Sequence, residues 1–164
     1  MKGLILGLTL LSLFTGVALG LVPNARLAAG QDDKAAVTGL LNDYFRAFGK
    51  LDVRAILPYY LEPSVLITAR GVAAMPTHAA MAAAFTPLME GLRARGYARS
   101  ELTTLHMKRL SATATLVSGV AVCYKADGQE LERTGVTYVL HKTDNGWKIA
   151  VTVGHDAESV PRLE

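Results

Sequence analysis

The 164-residue chain has a single cysteine, Cys123. One thiol excludes an internal disulfide framework and a cysteine-based structural zinc site. The chain also lacks a Gly-x-Ser-x-Gly elbow, a phosphate loop and a dinucleotide fingerprint. None of its four histidines stands at His-x-His or His-x3-His spacing. No cofactor and no metal site are therefore expected. Acid is missing from the first thirty residues, which carry only Lys2 and Arg26 as charges. Removing these two from 17 Lys+Arg leaves 15 bases against 14 acids, so the body carries a net charge of +1. The pI of 9.1 thus reflects the N-terminus. A concentrated basic face is absent from the bulk balance, and no nucleic-acid partner is expected.

What is present begins with an address. Met1 and Lys2 precede Gly3–Val22, twenty residues without a charge, and Ala28-Ala29-Gly30 supplies small residues at an exit. Basic start, apolar centre and small-residue exit describe a secretory signal over residues 1–30, with Gln31 as the new terminus. Ala18-Leu19-Gly20 is a second possible exit, and an uncleaved membrane anchor is the rival reading, since about twenty apolar residues can span a bilayer. Either way the domain over 31–164 is expected outside the cytoplasm, secreted or periplasmic, touching membrane only through that segment if it is retained. No cysteine follows the apolar run, which excludes a lipid-anchored lipoprotein.

The body is of one-domain size, without repeats or low-complexity segments. Asp32-Asp33 are expected to open a helix, favoured by its positive end. Val37, Leu40, Leu41, Tyr44, Phe45 and Phe48 then form one helical face, and Gly49 ends it. Asp52 is placed to cap a shorter helix, which Pro58 keeps short or irregular. Ser64–Thr68 is β-rich, and Thr77 can cap a third helix with Met81, Phe85, Leu88 and Leu92 on its stripe. From Tyr97 the period changes to two. Four strands are expected, near Arg99–Leu110, Thr113–Lys125, Glu130–Thr143 and Trp147–His155, with hairpin turns at Asp127-Gly128 and Asn145-Gly146. Two or three helices on one side of an antiparallel sheet make an α+β fold.

Three segments carry a family resemblance. They are Leu41-Asn42-Asp43-Tyr44-Phe45-Arg46-Ala47-Phe48-Gly49-Lys50-Leu51-Asp52, then Leu57-Pro58-Tyr59-Tyr60-Leu61-Glu62-Pro63-Ser64-Val65, and the ending Asp144-Asn145-Gly146-Trp147-Lys148-Ile149. Together they resemble the SnoaL-like branch of the nuclear transport factor two-like superfamily, over about residues 34–157. The resemblance implies a curved antiparallel sheet wrapped as a cone around the long N-terminal helix, a pocket at the wide end, and a homodimer formed through the sheet. The superfamily spans isomerases, hydrolases, ligand binders and association domains, and fold does not choose among them. Its steroid isomerases would place their base near Thr68 and their helix tyrosine near Asn42, with no acid between Arg133 and Lys142 to complete the set. The acid cluster of its epoxide hydrolases is not matched either. Its dehydratases use a His-Asp pair, but His155 and Asp156 are sequence neighbours and point to opposite faces of a strand.

Candidate site residues follow from parity. Trp147, Ile149, Val151, Val153 and His155 share one face of the last strand, so His155 is expected at the edge of the core, able to serve as a general base near neutral pH. Tyr124 and Tyr138 share parity with Val120, Val122, Val136 and Leu140. With Tyr44, Phe48 and Tyr60 from the helical side and His78 at the mouth, they are expected to line an apolar pocket with a few hydroxyls. Cys123 reads as a core thiol, and Arg93, Arg95 and Arg99 as a basic cluster at a helix end. The first functional expectation is an exported homodimer that binds a small apolar ligand, needing a cavity of roughly 300 Å³ or more. The second is an isomerase or lyase with His155 as base and Tyr44 or Tyr138 as polarising donor. The third is a protein-association domain outside the cytoplasm.

Overall fold

A computed structural model describes residues 23–163, with side chains from Gly30 onward. The apolar run of the expected signal lies outside the described residues. Among the described residues no helix is long and apolar enough to cross a membrane.

The first helix, α1, runs Pro23–Phe48. It starts well before the expected opening at Asp32-Asp33. Proline is tolerated at a first helical turn, where its missing N–H has no partner anyway, and the alanines that follow favour helix. The acid pair therefore sits inside the helix, and its role is lateral. Asp33 is buried against the sheet, where Lys142 Nζ donates to Oδ1 at 2.7 Å and Arg109 Nη2 lies 3.4 Å from Oδ2. The hydrogen bond from Lys142 is the main reason its carboxyl is held below the usual carboxylate range.

A carboxyl lowered in the folded state stabilises the fold above its unfolded pKa of about 3.9 and loses that contribution as pH falls through the folded value. Asp33→Asn is expected to cost about 1–2 kcal/mol at pH 7, since both cations are half exposed and partly screened. In denaturant titrations the gap to wild type should close as pH drops below about 4. A gap that stays constant to pH 2 would show the charge to be irrelevant.

After α1 come a one-turn helix α2, Val53–Ile56, capped by Asp52, whose carboxylate accepts from the Arg54 N–H at 3.0 Å, and a 3-10 turn at Leu57–Tyr59 containing Pro58. Strand β1, Tyr60–Thr68, is followed by a short strand β2, Gly71–Met75, which the sequence patterns did not indicate. Helix α3, His78–Ala94, is capped by Thr77 and carries Pro87 in its interior. Strands β3 (Tyr97–Arg109), β4 (Ala114–Lys125), β5 (Glu130–Thr143) and β6 (Gly146–His155) lie within two residues of expectation.

The six strands form one curved open sheet in the order β2-β1-β6-β5-β4-β3. All pairings are antiparallel except β1 with β6. Helix α1 lies in the concave face with Val37, Leu41, Tyr44 and Ala47 buried, against Val117, Tyr138, Leu140, Trp147 and Ile149 of the sheet. Helix α3 closes the other side with Met81, Phe85 and Met89. The Ala157–Ser159 turn and the residues after it cross the convex face, where Ser118 Oγ donates to the Pro161 carbonyl at 2.6 Å.

Two single-residue bulges decide which side chains look inward. Between β4 and β5, Cys123 pairs with Glu132 but Tyr124 pairs with Glu130, so Leu131 is an extra residue. Between β5 and β6, Val139 pairs with Val151 but Leu140 pairs with Ile149, so Ala150 is an extra residue. Each insertion inverts the alternation from that point on.

Candidate functional site

Between α1, α3 and the concave sheet lies a cavity of about 210 Å³. It is smaller than the roughly 300 Å³ expected, because Phe45 and Phe48 of α1 and Phe85, Leu88 and Leu92 of α3 reach into it. The sheet contributes Leu66 and Thr68 from β1, Ala121 and Cys123 from β4, Glu132, Thr134, Val136 and Tyr138 from β5, and Thr152 and Gly154 from β6. Burial gives the cavity an inside and an outside. Tyr44, Tyr138 and Thr152 are buried at one end, while Leu88 and the Arg95–Glu132 ion pair, 2.5 Å apart, are exposed or partly exposed at the other.

The inner end holds a chain of hydroxyls. Tyr44 and Tyr60 are 3.1 Å apart, and Tyr60 is 3.2 Å from Thr152 Oγ1. Tyr138 packs edge-on against the Tyr44 ring at 6.2 Å between centroids. Burial drives the Tyr44 and Tyr138 phenols well above their ordinary pKa, and raises Tyr60 despite its two hydrogen bonds. All three are neutral O–H groups at physiological pH. They can donate and accept hydrogen bonds; they do not serve as bases there.

Of the residues expected at a pocket, Tyr44, Phe48 and Tyr138 line this cavity, and Tyr60 stands behind it through the hydroxyl chain. Tyr124, His78 and His155 do not. Tyr124 lies on the convex face beneath the Arg99 guanidinium, 4.1 Å from its ring centroid. The extra residue Leu131 separates its face from that of Tyr138. His155 is inverted by the Ala150 bulge. Its ring lies over Gly135, where a Cβ would fall 2.3 Å from Nδ1, and its Nε2 is 3.0 Å from Thr137 Oγ1. The Asp156 carbonyl, 2.9 Å from Nδ1, can only accept, so Nδ1 carries the hydrogen and Nε2 accepts from Thr137 in the neutral ring. Thr137 and Gly135 alternate with the cavity-lining Val136 and Tyr138, so His155 is on the opposite side of the sheet from the cavity. His78 heads α3 with its N–H donating to Glu62 and its ring 3.7 Å from the same carboxylate, an arrangement that ties β1 to the helix start.

The sequence reading missed Glu132, Thr134 and Thr152; Cys123, expected as a core thiol, is buried. Cys123 does line the cavity, and burial, helped by Glu132 and opposed by Arg95, pushes its thiol up to about 11, so it is an unreactive neutral group. The arginines expected to form a basic cluster each have a local partner: Arg93 the Leu51 carbonyl, Arg95 Glu132, and Arg99 Glu101. Among the described residues there is no group of three His, Cys, Asp or Glu able to hold a metal.

A family model described as "NTF2-like protein (DUF6841)" matches residues 32–157. The chain belongs to this NTF2-like family. Among solved structures, it is similar to an NTF2-like protein with a cystatin-like fold from Novosphingobium aromaticivorans, with a TM-score of 0.69 and 16% identity over 85% of this chain and 94% of that one. An NTF2-like protein of unknown function from Shewanella oneidensis matches at 0.59 and 23% identity, over 77% and 99% of the two chains. A ketosteroid isomerase-like protein from Erwinia carotovora matches at 0.53 and 18% identity, over 74% and 93%. No curated protein matches the chain. At these identities the NTF2-like neighbours speak for the fold alone.

Proposed function

We propose that this NTF2-like domain, exported by its N-terminal segment, binds a small, mostly apolar molecule in the cavity between α1, α3 and the sheet. The observation that carries the reading is the contrast within one cavity: phenylalanine and leucine walls, and a buried end made of hydroxyls. Apolar walls supply affinity through surface removed from water, and a few polar groups supply orientation. The volume sets the ligand size. About 210 Å³ lies between a dry cavity of about 150 Å³ that takes benzene and the 300–1,000 Å³ of drug-sized sites. A single-ring molecule with a short substituent fits that range.

Catalysis by His155 has less support, because a strand separates it from the cavity, and the phenols at the inner end stay protonated. A homodimer belongs to the same proposal. Val65, Ile67, Val139, Val151 and Val153 form a partly buried apolar run on the convex face, beside the C-terminal crossing, and a second copy would cover it.

Native mass spectrometry of protein purified from its own host tests both parts: a co-purifying small molecule and a two-copy mass are expected, and an empty single copy would count against them. A variant sharpens the first part. Ala121 faces the cavity from β4, so Ala121→Phe should fill it. Loss of the bound molecule with an unchanged circular-dichroism spectrum is the expected result. A variant that retains its ligand would move the site elsewhere.

A further inference from the structure

The hydroxyls at the inner end of the cavity do not balance. Each of Thr152, Tyr60, Tyr44 and Tyr138 carries one hydrogen to donate and two lone pairs to accept. All four residues are more than nine-tenths buried. Thr152, Tyr60 and Tyr44 share two hydrogen bonds between them, which use two of their three hydrogens. The Tyr138 hydroxyl lies beside that of Tyr44, near enough for the two to share a hydrogen bond. Even with that bond made, one donor is left over, because an open chain of four hydroxyls carries four hydrogens and holds only three bonds. Among the described residues no carbonyl or carboxylate is bonded to the set. None of the four oxygens is among the described buried side-chain atoms that lack any partner, so the spare donor is one that opens on the cavity, where a ligand acceptor can meet it.

We infer that the ligand is an uncharged apolar molecule bearing one hydrogen-bond acceptor of the carbonyl or ether class, seated on the Tyr44 and Tyr138 hydroxyls. This rests on the binding proposal above and narrows it. The acceptor is uncharged because, among the described residues, no Lys, Arg or His lines the cavity; Arg95 is committed to the lining residue Glu132. Phenols pushed up by burial remain donors across the physiological range, which suits the role.

Chemical-shift titration of the labelled full chain with two probes of matched shape separates the outcomes. Acetophenone carries the acceptor; isopropylbenzene replaces it with a methyl group. Acetophenone should bind about tenfold more tightly, the ratio that about 1.4 kcal/mol of hydrogen bonding yields. Tyr138→Phe and Tyr44→Phe should each bring the ratio of acetophenone to isopropylbenzene affinity toward one, whereas general destabilisation would weaken both probes alike and leave that ratio near tenfold. Benzoate should bind more weakly than acetophenone. Equal binding of both neutral probes, insensitive to either tyrosine, would overturn the acceptor inference while leaving the cavity as an apolar site; water would then be satisfying the donors. Failure of both probes to bind, or binding that survives Ala121→Phe, would remove the cavity proposal and this inference with it.

Discussion

Gly119→Ala is expected to lose about 4 kcal/mol or more of stability, enough to unfold much of a domain whose total is about 5–15 kcal/mol. A Cβ at this position would fall 1.9 Å from the Thr104 carbonyl oxygen and 3.0 Å from Leu102 Cδ1. The obstacle is backbone, so no side-chain rotation relieves it. Strand β3 has an extra residue here, since Leu102 pairs with Ala121 while Thr104 pairs with Val120, leaving Thr103 over. The bulge draws β3 against β4. Neither strand can withdraw cheaply, because β4 is held by β5 on its other side and its neighbours Ser118 and Val120 are buried. Urea denaturation would measure the loss, or its extreme form, failure to accumulate as soluble protein. A midpoint within 1 kcal/mol of wild type would mean that the bulge has slack and that the close approach is not enforced.

Tyr44→Ala is the second large effect, expected at about 3–5 kcal/mol, the usual range for deleting a large buried aromatic side chain. Tyr44 is 4% exposed and its ring meets those of Phe45, Phe48, Tyr59, Tyr60 and Tyr138 at centroid distances of 5.4–6.2 Å. Truncation removes the centre of that cluster and strands the Tyr60 hydroxyl's partner position. Tyr44→Phe keeps the ring and loses one hydrogen bond, so it should cost only about 1 kcal/mol. The pair of variants separates the residue's two roles. Thermal or chemical denaturation should rank them far apart in stability, whereas a preference for an acceptor-bearing ligand should suffer in both. Similar stabilities for the two would show that α1 does not depend on this ring.

How much of this was legible beforehand differs by level. Helix α1's inward face, the Thr77 and Asp52 caps, and the two Gly-containing turns follow from local chemistry, because 3.6-residue periodicity, side-chain acceptors and positive φ act within a few residues. The extension of α1 back to Pro23 was missed because an acidic pair reads as a helix opening; here Asp33 answers to Lys142, 109 residues away. Strand β2 was missed because its Gly71-Val72-Ala73-Ala74-Met75 has no alternation: it is a short edge strand, exposed except at Met75. The glycine at 119 inside an apolar strand carried a readable signal, since glycine in a strand interior marks a bulge or close approach.

The site was less legible than the fold. Tyr44, Phe48 and Tyr138 could be placed because they sit on a helix face or on the inward parity of β5. His155 and Tyr124 were assigned to the wrong face for one physical reason. Alternation has a period of two, so a single inserted residue reverses it, and neither Ala150 nor Leu131 differs in type from an ordinary strand residue. What the chain determined by itself was its elements, its α+β class and its family resemblance, all built from local periodicity and capping. Only the tertiary structure decided which residues face the cavity, since the bulges arise from how paired strands accommodate curvature around α1, and that pairing is a property of distant segments meeting.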